Sequence, residues 1–170
     1  MQHNLKGTIK MTKKLSIDYK TFYKWVTVDY KKHCPIVRSK KRVIKYNEVF
    51  TGLDHVMLGL SKYNDEKFLD ETISFCDSCA GEGIWLVGVA LKRMQLGMSH
   101  ENAIKNLKAV ELLPDNRNAI IIRLMCNDET LRNELEKNIV QADSLSYHYR
   151  WDGSDPARSS KDIVFDKFFH

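Results

Sequence analysis

Apolar residues recur at helical spacing along most of the chain, and the breaks between runs fall at glycine, proline and capping residues. Over residues 15–32, Tyr19, Phe22, Tyr23, Val26 and Tyr30 share one broad stripe when drawn at about 100° per residue. Lys20, Lys24 and Lys31 cluster on another side, and Trp25 lies beyond the edge of the stripe. The pattern predicts a first helix with Ser16 as N-cap and Asp18 in its first turn, closed by Pro35. Residues 84–96 are apolar nearly all round until Lys92 and Arg93, which predicts a central buried helix. Within it, Gly88 allows a neighbour to approach closely, and Gly97 suits the residue after the helix end.

The remaining runs are shorter. Residues 46–60 end in an apolar stretch that reads as a short helix. Asn64 or Asp65 caps a further one, in which Phe68, Leu69, Thr72, Ile73 and Cys76 form a core-facing stripe. Ser99 caps a helix expected over residues 100–111, and Pro114 breaks the chain after it. Ile120, Ile121 and Ile122 favour a strand locally, but the surrounding pattern is helical, so residues 118–126 are assigned to a helix. A last helix is expected over residues 129–142, with Leu131, Leu135 and Ile139 at intervals of four. No repeat at a fixed period is visible.

The expected fold is therefore mainly α, a compact bundle of about five or six helices. It divides into a basic segment at residues 1–45 carrying one amphipathic helix, a helical core at 46–143, and an irregular tail at 144–170 with an apolar terminus. Its 170 residues suit one compact domain. The longest uncharged apolar run, residues 83–91, is nine residues, about half of what a bilayer crossing needs, and the start does not read as a secretory signal. A cytoplasmic location is expected.

Charge changes the picture. The net charge of +5 conceals a basic first segment, where thirteen Lys or Arg within residues 1–45 face only Asp18 and Asp29. The rest of the chain has fourteen basic and twenty acidic groups. So one-sided a field concentrates an anionic partner at one end of the molecule. DNA or RNA fits best, because each neutralised phosphate releases condensed counterions. Lys20, Lys24 and Lys31 on a helix face, with Arg38, Lys40, Lys41, Arg42 and Lys45 in the densest basic run, are the expected phosphate contacts. Residues 38–45 read as a strand or an exposed loop. Residues 16–25, SIDYKTFYKW, look superficially like the second helix of a helix-turn-helix unit, but residues 1–14 are too short and polar to supply its supporting helix.

Other chemistry is weaker. Cys76 and Cys79 form a C-x-x-C pair that could bind zinc only with ligands such as Cys34, His33 or Cys126 brought in by the fold. No metal or other cofactor is expected. Asp70 and Asp77 fall two turns apart on one side of the expected helix but lack further ligands, and His148 has no marked nucleophile. The chain is not expected to be an enzyme. It reads as a nucleic-acid-associated regulatory or accessory protein that binds phosphate backbone. The alternative is an adaptor or inhibitor recognising an acidic protein, or a homodimer, through Tyr23, Trp25 and the tail residues Phe165, Phe168 and Phe169.

Overall fold

A computed structural model describes residues 16–34, 36, 39–46 and 51–152. Asp18, rather than Ser16, caps the first helix, α1 (Tyr19–Thr27), by accepting the Thr21 amide hydrogen at 2.7 Å. The β-branched run Val26, Thr27, Val28 ends it, with the Thr27 hydroxyl donating back to the Tyr23 carbonyl. A tight 3-10 turn, Asp29–Lys32, then folds Tyr30 inward. Residues 40–46 form a helix, α2 (Lys40–Tyr46), not the strand or loop expected; the Arg42 amide donates to the Ser39 hydroxyl at its start.

Beyond this point the chain repeats one pattern three times: a helix, a short helix, and a strand. The first unit is α3 (Leu53–Leu60), α4 (Glu66–Leu69) and β1 (Phe75–Asp77). The second is α5 (Ile84–Gln95), α6 (His100–Ile104) and β2 (Leu107–Glu111), and the third α7 (Pro114–Met125), α8 (Arg132–Asn138) and β3 (Ile139–Gln141). The strands begin at Phe75, Leu107 and Ile139, each 32 residues after the last. What recurs is the order of elements and not the side chains, so the sequence shows no period. Gly88 and Arg93 of the second unit, for example, stand where the third has Ile120 and Met125.

The three strands form a parallel sheet in the order β1-β2-β3, with Phe75 opposite Leu107 and Ala109 opposite Ile139. Parallel neighbours require crossovers, which the helices supply; both crossovers step the same way, so right-handed connections place them on one face. The fold is helix-rich, but it is not a pure bundle. Helices expected over residues 65–76, 100–111 and 129–142 each stop early and give way to a strand. At the first, the Asp70 carboxylate accepts the Thr72 amide and hydroxyl and turns the chain. At the second, Asn106 adopts a left-handed conformation (φ 59°) and donates to the Glu71 carbonyl. At the third, α8 ends at Asn138 and Ile139 turns to extended backbone. The predicted helices at α5 and α7 are present, the latter despite its isoleucine triplet.

Gly88 brings α5 against α3: a Cβ there would lie 2.5 Å from the Val56 Cγ1. α1 lies across α5 and α7, with Phe22 and Val26 fully buried and the Trp25 indole donating to the Ile122 carbonyl at 3.2 Å. Arg93 is wholly buried on α5 and is used as a connector. Its guanidinium donates to the carbonyls of Phe68 (3.2 Å), Ile73 (3.1 Å), Ala103 (3.2 Å) and Lys105 (2.7 Å), joining the ends of α4 and α6 to the approaches of β1 and β2. On the sheet face away from the helices, Tyr147 packs with Val110 and Ala142, and Trp151 joins them. Residues 144–152 are thus irregular but docked.

Candidate functional site

The basic side of the molecule is built on α1 and α2. Burial of Phe22 and Val26 turns Lys20 and Lys24 outward, and Lys31 projects from the 3-10 turn that follows. Lys24 and Lys32 flank Asp29, at 3.5 and 3.3 Å. α2 has no buried residue, and Lys40, Lys41 and Lys45 are exposed along it, with Ile44 81% exposed among them. Among the described residues, no carboxylate lies within ion-pair distance of Lys20, Lys31, Lys40, Lys41 or Lys45.

Arg42 is used differently from its neighbours. Its guanidinium grips the Asp115 carboxylate through both terminal nitrogens and also reaches Asn116. Burial alone would raise the Asp115 pKa, but the arginine, with the Asn116 and Asp115 backbone amides, more than offsets that and holds the carboxyl below its ordinary value. Arg42 therefore anchors α2 to the start of α7, and the residues it leaves for an outside partner are lysines. Trp25 is likewise unsuited to a partner-facing role, being 6% exposed and hydrogen-bonded within the core, whereas Tyr23 is half exposed and stacks on Tyr19. Arg38, Phe165, Phe168 and Phe169 lie outside the described residues, as do residues 1–15.

The cysteines do not gather. Cys76 and Cys79 are exposed, Cys34 is half-buried, and Cys126 is buried at the end of α7. Burial pushes the Cys126 thiol up to about 12, with Asp128 adding to the effect, and also raises Cys76. Among the described residues, no group of three or more His, Cys, Asp or Glu is placed to hold a metal ion. Asp70 and Asp77 do not share a helix face, since one makes a turn and the other ends β1. His100 is a core group, bonded to the Leu124 carbonyl at 2.8 Å and packed on Phe22.

Two hollows open at the carboxyl end of β1, where parallel sheets commonly take ligands. They lie on either side of Trp85, which is 40% exposed on the first turn of α5, and both are lined in part by Asp77. Gly59 leaves room for the Trp85 ring, which a Cβ at that position would approach to 3.2 Å. The larger hollow, about 420 Å³, contains Lys31, Glu82 and Arg123. There the Tyr30 hydroxyl donates to Glu82 at 2.7 Å, and Arg123 stacks on the Tyr30 ring and donates to the Glu82 and Val26 carbonyls. The smaller, about 390 Å³, is bounded by Tyr63, Phe75, Trp85, Leu86 and Val89 around Asp77. The loop between β1 and α5 is not a phosphate cradle: the Gly81 amide already donates to the Glu111 carboxylate, Cys79 to Asp77, and Gly83 to the Ala80 carbonyl. Sequence reasoning missed these hollows, because their walls come from β1, α5 and the turn after α3, and in the larger one also from the 3-10 turn and α7, which have no common spacing.

Among the described residues, no helix is long and apolar enough to cross a membrane. No protein-family model, curated protein or solved structure matches the chain.

Proposed function

We propose that the protein binds the phosphate backbone of nucleic acid through the lysines of α2 and the outward side of α1. The supporting observation is the state of α2: a basic helix with no buried residue, fixed to the body by Arg42, holding Lys40, Lys41 and Lys45 in solvent, unpaired with any carboxylate among the described residues. Arg42 makes the helix a positioned feature rather than a loose basic segment. Lysines act here as point charges on flexible stems, which suits backbone contact and gives no base readout.

The experiment is a salt titration of binding to fluorescently labelled duplex DNA, single-stranded DNA and RNA, followed by anisotropy. For duplex, the logarithm of the affinity falls with that of salt by about 0.9 per phosphate neutralised. The triple variant Lys40→Gln, Lys41→Gln, Lys45→Gln retains Arg42 and so keeps α2 in place. It should lower the slope by about 2 to 3 and weaken all sequences alike. An unchanged slope and affinity in that variant would refute the assignment.

One observation favours a second reading. Ile44 is exposed among the lysines, an apolar contact that phosphate does not use and an acidic protein partner would. Ile44→Ser should leave nucleic-acid affinity unchanged and weaken such a protein complex.

A further inference from the structure

The smaller hollow beside Trp85 is separate from the basic surface and has the opposite sign. Its walls combine the aromatic and aliphatic side chains of Tyr63, Phe75, Trp85, Leu86 and Val89 with Cys76 and Ser78, and Asp77 is the one formal charge among the described residues that line it. One Asp77 oxygen accepts the Cys79 amide hydrogen at 3.1 Å. Among the described residues, no cation is paired with the carboxylate. Half-burying an ion without a counter-charge costs free energy, and burial does raise the Asp77 pKa. On the far side of Trp85 the situation differs, because Arg123 lies 3.9 Å from the Glu82 carboxylate.

We propose that this recess binds an organic ammonium ion carried on a small apolar body. The ammonium sits at Asp77, and the alkyl part lies against Trp85 and Tyr63. Three features select that chemistry. A cation supplies the counter-charge that the carboxylate lacks, and the tryptophan and tyrosine rings in the same lining offer apolar contact to the body that carries it. An anion would meet Asp77 with no lysine or arginine in the lining to offset it. A bare metal ion would find a single carboxylate, too few oxygens for calcium or magnesium. In the neighbouring hollow Arg123 already answers Glu82, and Lys31 adds a further positive charge, which keeps the cation on the Tyr63 side. The volume, about 390 Å³, is at the lower end of small-ligand sites.

The test is calorimetric titration of the full chain with choline and with its neutral analogue, in which carbon replaces the quaternary nitrogen. Choline should bind saturably, and the analogue at least tenfold more weakly. Asp77→Asn, which keeps an acceptor for the Cys79 amide, should bring the two probes to equal affinity. Tyr63→Ala, a change at an exposed rim, should weaken choline without lowering the melting temperature. The absence of saturable choline binding, equal affinity for the neutral analogue in the unaltered protein, or unchanged choline affinity in folded Asp77→Asn would each overturn the proposal. If Asp77→Asn does not fold, the contrast between the two probes and the Tyr63→Ala result decide it. Nucleic-acid binding is measured separately, so either reading can fail alone.

Discussion

Replacing Arg93 with methionine tests how the helical layer is joined to the sheet. Methionine is comparably long and flexible and fills much of the same space, so the change removes the guanidinium more than the packing. Four carbonyls lose their donor: those of Phe68, Ile73, Ala103 and Lys105. Hydrogen bonds to charged groups contribute roughly 1.5–3 kcal/mol each, which for four sums to roughly 6–12 kcal/mol gross. Burying the guanidinium costs several kcal/mol, which its removal returns. The net expectation is a loss of about 3–5 kcal/mol, a large part of the ~5–15 kcal/mol typical of a folded domain. Arg93→Lys keeps the charge and up to three of the donors, so its loss should be smaller, though not nil, since one nitrogen cannot serve four carbonyls. Urea denaturation followed by circular dichroism measures both through the midpoint and slope. A loss below about 1 kcal/mol for Arg93→Met, or equal losses for the two variants, would show that the guanidinium does not hold the units together.

Three further outcomes follow from the same packing. Gly88→Ala places a methyl group 2.5 Å from Val56 and should cost about 1–3 kcal/mol, part of it recovered by adding Val56→Ala, as urea midpoints would show. Burial holds the His100 imidazole below its ordinary value of 6.5, against weaker opposing effects of the Leu124 carbonyl, Asp128 and Glu101. The unfolded chain therefore takes up a proton before the folded one does. Stability is fully present above about pH 6.5 and declines as pH falls through the lowered pKa, a decline that His100→Gln should reduce in pH-dependent melting. Maleimide should label Cys76 and Cys79 in the folded protein but reach buried Cys126 only after denaturation, as peptide mapping would show.

Long elements with strong local signals were readable in the sequence. The apolar run of α5, the Ser99 cap and Gly97 at φ 100° behave as their residue types suggest, and the isoleucines of α7 are overruled by the helical pattern around them. The sheet was hidden because β1 and β3 are three residues long and β2 five, too short for alternation to register. Each also follows a short helix with no proline or glycine between them; the breaks depend on Asp70, Asn106 and the end of α8 at Asn138. The exposed lysines of α1 and α2 were legible, but the role of Arg42 was not, because Asp115 and Asn116 lie more than seventy positions away. The same holds for Trp25, whose partner carbonyl belongs to Ile122. The hollow beside Trp85 depends on Gly59 giving the indole somewhere to rest, a detail that emerges only from packing.

The threefold stack also determines which joint can loosen. α1 clasps the second and third units by lying on both α5 and α7, whereas α3 and α4 lean on α5 alone among the long helices they touch most. In stacked architectures each layer is held mainly by its neighbours, so opening at one end need not dismantle the rest. The seam between the first unit and the second runs past Tyr63 on one side and Trp85, Leu86 and Val89 on the other. A molecule lodged there would splint that seam, and the first unit would stiffen against the second whenever it was occupied.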